Sequence, residues 1–178
     1  MATPIIEVIS LIHGFLGTIF LMAFTGSIIA LFTLDKSKYK LLRYSIMLMT
    51  LSVIIIDVVG IYIYGIYRAP NPESARSKLL ESNTPWVHTI LMEFKEFAGI
   101  YVALMMLLIS YLIFKYNSKV LSDMNLRNSV LFLLIITMLL TLLTFGLGAY
   151  ITKVQPIWKM KTGKRKQGLF SPHFLCWA

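Results

Sequence analysis

Acidic residues are scarce in this chain, with 8 Asp and Glu against 17 Lys and Arg, and all charged side chains together make up 14% of its 178 residues. Soluble domains run near ~25% charged, so this sequence lacks the surface that would keep it in water. Cysteine is all but missing. The single Cys176 excludes an internal disulfide and any cysteine-based zinc or iron–sulfur site within one chain. Also lacking are a Gly-rich phosphate or dinucleotide loop, a His-Glu-x-x-His pair and a serine nucleophile elbow. With no nucleophile beside an orienting base, the pattern speaks against a hydrolase. No repeat of fixed period and no soluble-type strand signal is present. The opening Met-Ala-Thr-Pro-Ile-Ile-Glu has no basic n-region, and the apolar run behind it is longer than a signal-peptide core, so it reads as a retained anchor.

What is abundant is hydrocarbon. Hydrophobic residues make up 57% of the chain, enough for an integral membrane protein with four spans of about 20 apolar residues each. The spans fall at about 5–34, 41–67, 86–114 and 129–151, followed by a basic polar tail over 153–178. The expected fold is all-α, a four-helix transmembrane bundle with both termini on one side. Tyr62, Tyr64 and Tyr67 at the end of the second span read as an interfacial aromatic belt. In the loop that follows, Glu73 to Leu80 fits a short helix on the membrane surface. Asn83 or Thr84 as N-cap, with Pro85 in the first turn, marks the start of the third span. In the fourth, Thr137, Thr141, Thr144 and Gly148 recur at helical spacing and mark the side that packs inward.

The basic residues sit mostly in loops and tail, where Lys and Arg meet anionic headgroups. No basic–aromatic alternation of a nucleic-acid groove is present. The short loops spanning Lys36 to Arg43 and Lys115 to Arg127 hold seven Lys or Arg, against three between Arg68 and Asn83. That count places those two loops inside and the N-terminus outside the cell membrane, although the basic tail argues the other way. The loop Ala69 to Asn83 and the tail are the polar surfaces large enough to dock partners.

The costly residues lie inside the spans. Thr84 to Gly99 carries His88, Glu93, Lys95 and Glu96 early in the third span, and each charge at membrane depth costs about 2.5–3.5 kcal/mol on insertion scales. At ~1.5 Å per residue, His13 lies ~12 Å from the surface shared by the starts of spans one and three, Asp57 ~15 Å, Glu93 to Glu96 ~12–17 Å and His88 only ~5 Å. Lys95 falls on nearly the same face as His88, Met92 and Gly99. It has three candidate roles: to neutralise Asp57, to pair with Glu96, or to hold an anionic group of a cofactor. Glu93 and Glu96, with Asp57 or a histidine, have the donor atoms for a metal site or a proton relay. Gly14 and Gly17 leave room beside His13 for a close helix or a flat cofactor. Two span-borne histidines, His13 and His88, have the ligand type that clamps a haem iron, with Met92 as an alternative to His88. Each of these residues has a plainer reading as a packing or interfacial side chain.

Two histidines with adjacent glycine on parallel helices, in the stretches His13 to Gly17 and Pro85 to Gly99, resemble small membrane cytochromes of b type that serve respiratory oxidoreductases. The resemblance implies one haem b with His13 and His88 as axial ligands, Lys95 near a propionate, and electron transfer between a quinone pool and a partner. On that reading the chain is a subunit of a redox complex rather than an enzyme alone. Two further readings stand beside it: a non-redox accessory scaffold, and a small ion or proton conductor built on Asp57, Glu93, Lys95 and Glu96.

Overall fold

A backbone inside lipid finds no water to bond, so each crossing segment must satisfy its own peptide groups, and a helix does so within one stretch. The computed structural model describes residues 3–33 and 36–154. They form α1 (Thr3–Thr33), α2 (Tyr39–Tyr67), a short α3 (Ala75–Leu80), a π-helical turn (Val87–Met92) running directly into α4 (Glu93–Tyr116), then α5 (Lys119–Ser122) and α6 (Met124–Val154). Among the described residues four stretches are long and apolar enough to cross a bilayer: Leu11–Thr33, Tyr39–Tyr67, Val87–Tyr116 and Met124–Val154. The protein is therefore an all-α, four-helix transmembrane bundle. The last span starts at Met124 rather than 129 because Asp123 caps it, its Oδ1 accepting from the backbone N–H of Asn125 at 2.9 Å and of Leu126 at 3.2 Å. Lys159, His173, Cys176 and the rest of the tail beyond 154 lie outside the described residues.

The helices pack in sequence order, α1 on α2, α2 on α4 and α4 on α6, with α6 returning to α1. Each turns one stripe inward, and each stripe changes character halfway along. On α2 the inner positions read Leu42, Ile46, Met49 and Val53, all buried, before giving way to Asp57, Gly60, Tyr64 and Tyr67. On α4 the order runs the other way, from Lys95, Glu96 and Gly99 to Val102, Met106, Ile109 and Ile113. One half of the bundle is consequently dry. There Phe20, Leu42, Ile46, Met49, Met106 and Leu134 are buried together. Between helices in lipid, dispersion contacts and a few hydrogen bonds supply the attraction. Ser27 donates to the Ala23 carbonyl at 3.1 Å, the Thr50 and Ser110 hydroxyls pair at 2.7 Å, and Tyr39 donates to the Ile113 carbonyl at 2.9 Å. The approach of α1 to α2 is close here, since a Cβ on Gly26 would lie 2.7 Å from the Ser45 hydroxyl. Asn117, at φ 54° and ψ −139°, ends α4 in a positive-φ conformation that L residues rarely adopt.

The other half is closed by α3. Ser74 caps it, accepting from the Ser77 N–H at 3.1 Å, and its buried Ala75 and Leu79 pack with Tyr67, Val87 and Ile151. The short helix expected over Glu73 to Leu80 forms, but as a plug in the end of the bundle rather than a helix resting on the membrane. Its outer side carries the Glu73–Lys78 pair at 2.8 Å, where the ammonium holds the exposed carboxyl below its usual range.

Candidate functional site

Four ionisable side chains from three helices meet in one cavity of about 290 Å³. His13 on α1, Asp57 on α2, and Lys95 and Glu96 on α4 line it, with Thr141 and Thr144 of α6 on the far wall. Local sequence places them there. His13 and Gly17 sit one turn apart on the inner stripe of α1, and Asp57 and Gly60 do the same on α2. Gly60 lies beside the imidazole, where an added Cβ would make ordinary contact 3.7 Å from His13 Cε1. Gly99 lies likewise beside Asp57, where an added Cβ would be 3.7 Å from its Oδ1. Of the two glycines expected to flank His13, Gly17 lines the cavity and Gly14 does not; the Gly14 carbonyl accepts from the Thr18 hydroxyl on the outer side of α1.

Lys95 and Glu96 stand 3.6 Å apart, both largely shielded, with Asp57 within electrostatic reach of each. One ammonium thus stands near two carboxyl groups, and a charge within a membrane span is least costly beside an opposite one. His13 is 7% exposed and its Nδ1 is buried with no hydrogen-bond partner among the described residues. Buried polar atoms are rarely left in that state.

A second, smaller cavity of about 60 Å³ adjoins the first and shares His13, Gly60, Lys95 and Glu96 with it. It reaches toward α3 and is lined there by Tyr64, Tyr67, Met92 and Thr152. Beyond it lies a polar network. Arg68 donates to the Tyr64 hydroxyl at 3.1 Å, and Tyr64 donates to Glu93 Oε1 at 2.9 Å. Arg76 Nε donates to His88 Nε2 at 3.0 Å, and His88 Nδ1 lies 3.0 Å from the Tyr67 hydroxyl. Because a guanidinium only donates, Nε2 must accept, so the neutral ring carries its proton on Nδ1 and gives it to the Tyr67 oxygen. Tyr67, 1% exposed, keeps its own O–H free for the smaller cavity. Glu93 also lies 3.9 Å from His88 Nε2, but with Arg76 already donating there this is proximity rather than an ion pair.

Two sequence expectations are corrected by this arrangement. Tyr64 and Tyr67 do not form an outward belt: their three-residue spacing aims Tyr64 at α4 and Tyr67 at the π turn before it, and only Tyr62, 56% exposed, faces lipid. His88 does not share a face with Lys95 across the cavity, because the π turn Val87–Met92 inserts an extra residue per turn between them and rotates His88 toward α3. Buried to 4% exposure, it lines neither cavity and spends both ring nitrogens inside the chain. A haem clamped by His13 and His88 does not fit this geometry. The larger cavity offers no second imidazole or sulfur ligand, and the smaller, where Met92 does join His13, is far below the ~300 Å³ at which ligand pockets begin. Glu93 and Glu96 diverge, one to Tyr64 and one to Lys95, and among the described residues no group of three or more His, Cys, Asp or Glu side chains is placed to hold a metal ion. The sequence pattern did not mark Tyr64, Tyr67 or Arg76 as part of this polar network. The run Asp57, Gly60, Tyr64, Tyr67 at alternating steps of three and four was the available signal for the two tyrosines. Arg76 left none, lying in a loop read as a docking surface.

No protein-family model matches the chain, and no curated protein or solved structure is detectably similar to it.

Proposed function

We propose that this protein is a membrane subunit of an electron-transfer assembly, and that the His13–Asp57–Lys95–Glu96 cavity takes the oxygenated head of a lipid-soluble carrier of the quinone class. The observation that supports this most directly is the buried imidazole of His13, which lines a cavity that also holds two carboxyls and an ammonium. A quinone head carries two carbonyl acceptors that need donors when oxidised and protons when reduced. An imidazole N–H and the Lys95 ammonium provide the first, and Asp57 and Glu96 are groups able to pass the second. The margin of the cavity favours a ligand that arrives from lipid, since Ile61, Ile100 and Leu104 belong both to its lining and to the outward surface. Electrons would come from a redox centre of the partner. A conductor, by contrast, needs a polar route through both halves, and the half around Met49, Met106 and Leu134 is packed with hydrocarbon.

The test is photo-crosslinking of the purified protein with an azido-quinone, mapped by peptide mass spectrometry. Saturable label on α1, α2 or α4 near the cavity, competed by unlabelled quinone and lost in His13→Ala, is the expected result. Label spread along the lipid-facing surface, equal in wild type and variant, overturns the reading. A visible spectrum of the same sample decides the haem alternative, since a stoichiometric Soret band would show that the helices open to admit a macrocycle.

A further inference from the structure

Two adjoining cavities, a chain of hydroxyl and carboxyl groups on one side of them and dry packing on the other, carry one more inference. We infer that the intramembrane site is hydrated from the α3 end of the bundle alone, with Glu93 and Tyr64 at the mouth, the smaller cavity as passage, and Glu96 and Asp57 at its blind end. This deepens the reading of the cavity as a site of protonation, naming where its protons enter.

Glu93 reaches the outside of the bundle and accepts from Tyr64, which lines the smaller cavity. That cavity's ~60 Å³ is several times the roughly 10–15 Å³ one water needs. Polar partners stand on its walls from every spanning helix: His13 of α1, Tyr64 and Tyr67 of α2, Lys95 and Glu96 of α4 and Thr152 of α6. The tautomer of His88 leaves the Tyr67 O–H to serve such a water. The shared His13, Gly60, Lys95 and Glu96 then join this space to the larger cavity and Asp57. Past Asp57 the inner stripe turns to Val53, Met49 and Met106, and the Thr50–Ser110 pair closes on itself at 2.7 Å. Dry packing of this kind admits no chain of water.

The experiment is thiol accessibility to silver ions, which reach a buried cysteine only through water. In a Cys176→Ser background, Thr152→Cys and Gly60→Cys probe the passage, while Ser27→Cys and Thr50→Cys probe the dry half. Each full-length variant is sealed in vesicles of known orientation and exposed to silver on one face. It is then denatured and alkylated, so that unmodified thiols are counted and the presence of every cysteine is verified. Thr152→Cys and Gly60→Cys should be blocked completely by silver on the α3 face and spared by silver on the other, with Ser27→Cys and Thr50→Cys spared by both. Passage thiols that stay free, or are blocked from the opposite face, overturn the inference, as does blocking of the dry pair. Silver access without quinone label removes the carrier reading and keeps the route. Label without silver access does the reverse.

Discussion

The two halves of this bundle are built from the same four helices and nearly the same backbone, yet they solve opposite problems. Around Met49, Met106 and Leu134 the helices approach closely and fill their interface with methyl and methylene groups, and the hydroxyls of Ser27, Thr50 and Ser110 bond within a turn or to a facing helix. Around His13 and Asp57 they surround about 290 Å³, and one imidazole nitrogen has no partner among the described residues. In lipid, packing is the chief source of helix association. A half that gives it up for space and charge is therefore costly to keep, and the dry half supplies the stability that holds it open. The comparison locates function in the roomy half and structure in the dense one.

Substitutions sharpen that contrast. The largest effect is expected at Lys95, whose ammonium faces both Glu96 and Asp57. Lys95→Met should cost about 3 kcal/mol in reversible unfolding from mixed micelles, the low end for a broken buried pair because a stranded carboxyl can take up a proton. In the dry half, Leu134→Ala should cost about 2 kcal/mol, at the bottom of the soluble-core range because lipid competes for the lost contacts. It should leave silver access to Thr152→Cys unchanged. A Leu134→Ala variant that opens the dry half to silver would show that the two halves are not independent. Tyr67→Phe should cost about 1 kcal/mol by stranding the His88 Nδ1–H, with nitrogen-15 shifts of the His88 ring as the readout. The smallest effects form a pair. Gly26→Ala must push the Ser45 hydroxyl aside and should cost about 1 kcal/mol. Gly60→Ala meets only ordinary contact with His13 and should be neutral or stabilising by up to about 1 kcal/mol, while weakening capture of the quinone probe. Equal costs at the two glycines would erase the distinction between the halves.

Much of this was legible before any coordinates. Apolar length alone marks four crossings, and the spacing of Thr137, Thr141, Thr144 and Gly148 marks the inner side of α6, where Thr137 and Gly148 are buried. Depth counting from the span ends brought His13, Asp57, Lys95 and Glu96 to one level, because a helix rise is constant and the loops are short. What could not be read was anything depending on a break in that regularity. The π turn at Val87–Met92 shifts the register by a residue, so periodicity put His88 on the face of Lys95 when it serves Arg76 and Tyr67 instead. The haem expectation rested on ligand type and parallel helices, neither of which tells that His88 turns toward Arg76 and Tyr67. Arg76 is brought to His88 by the fold of a loop, and loop folds leave no period in a sequence.

The central claim is that Asp57, Lys95 and Glu96 compensate one another in a shared cavity, and a charge-neutral triple variant tests it most directly. Unfolding free energies of Lys95→Met, of Asp57→Asn with Glu96→Gln, and of all three together form one thermodynamic cycle. The account predicts that the triple variant regains most of the stability lost by Lys95→Met alone, since removing the carboxylates removes the need for the cation. Losses that simply add across the three positions would contradict it.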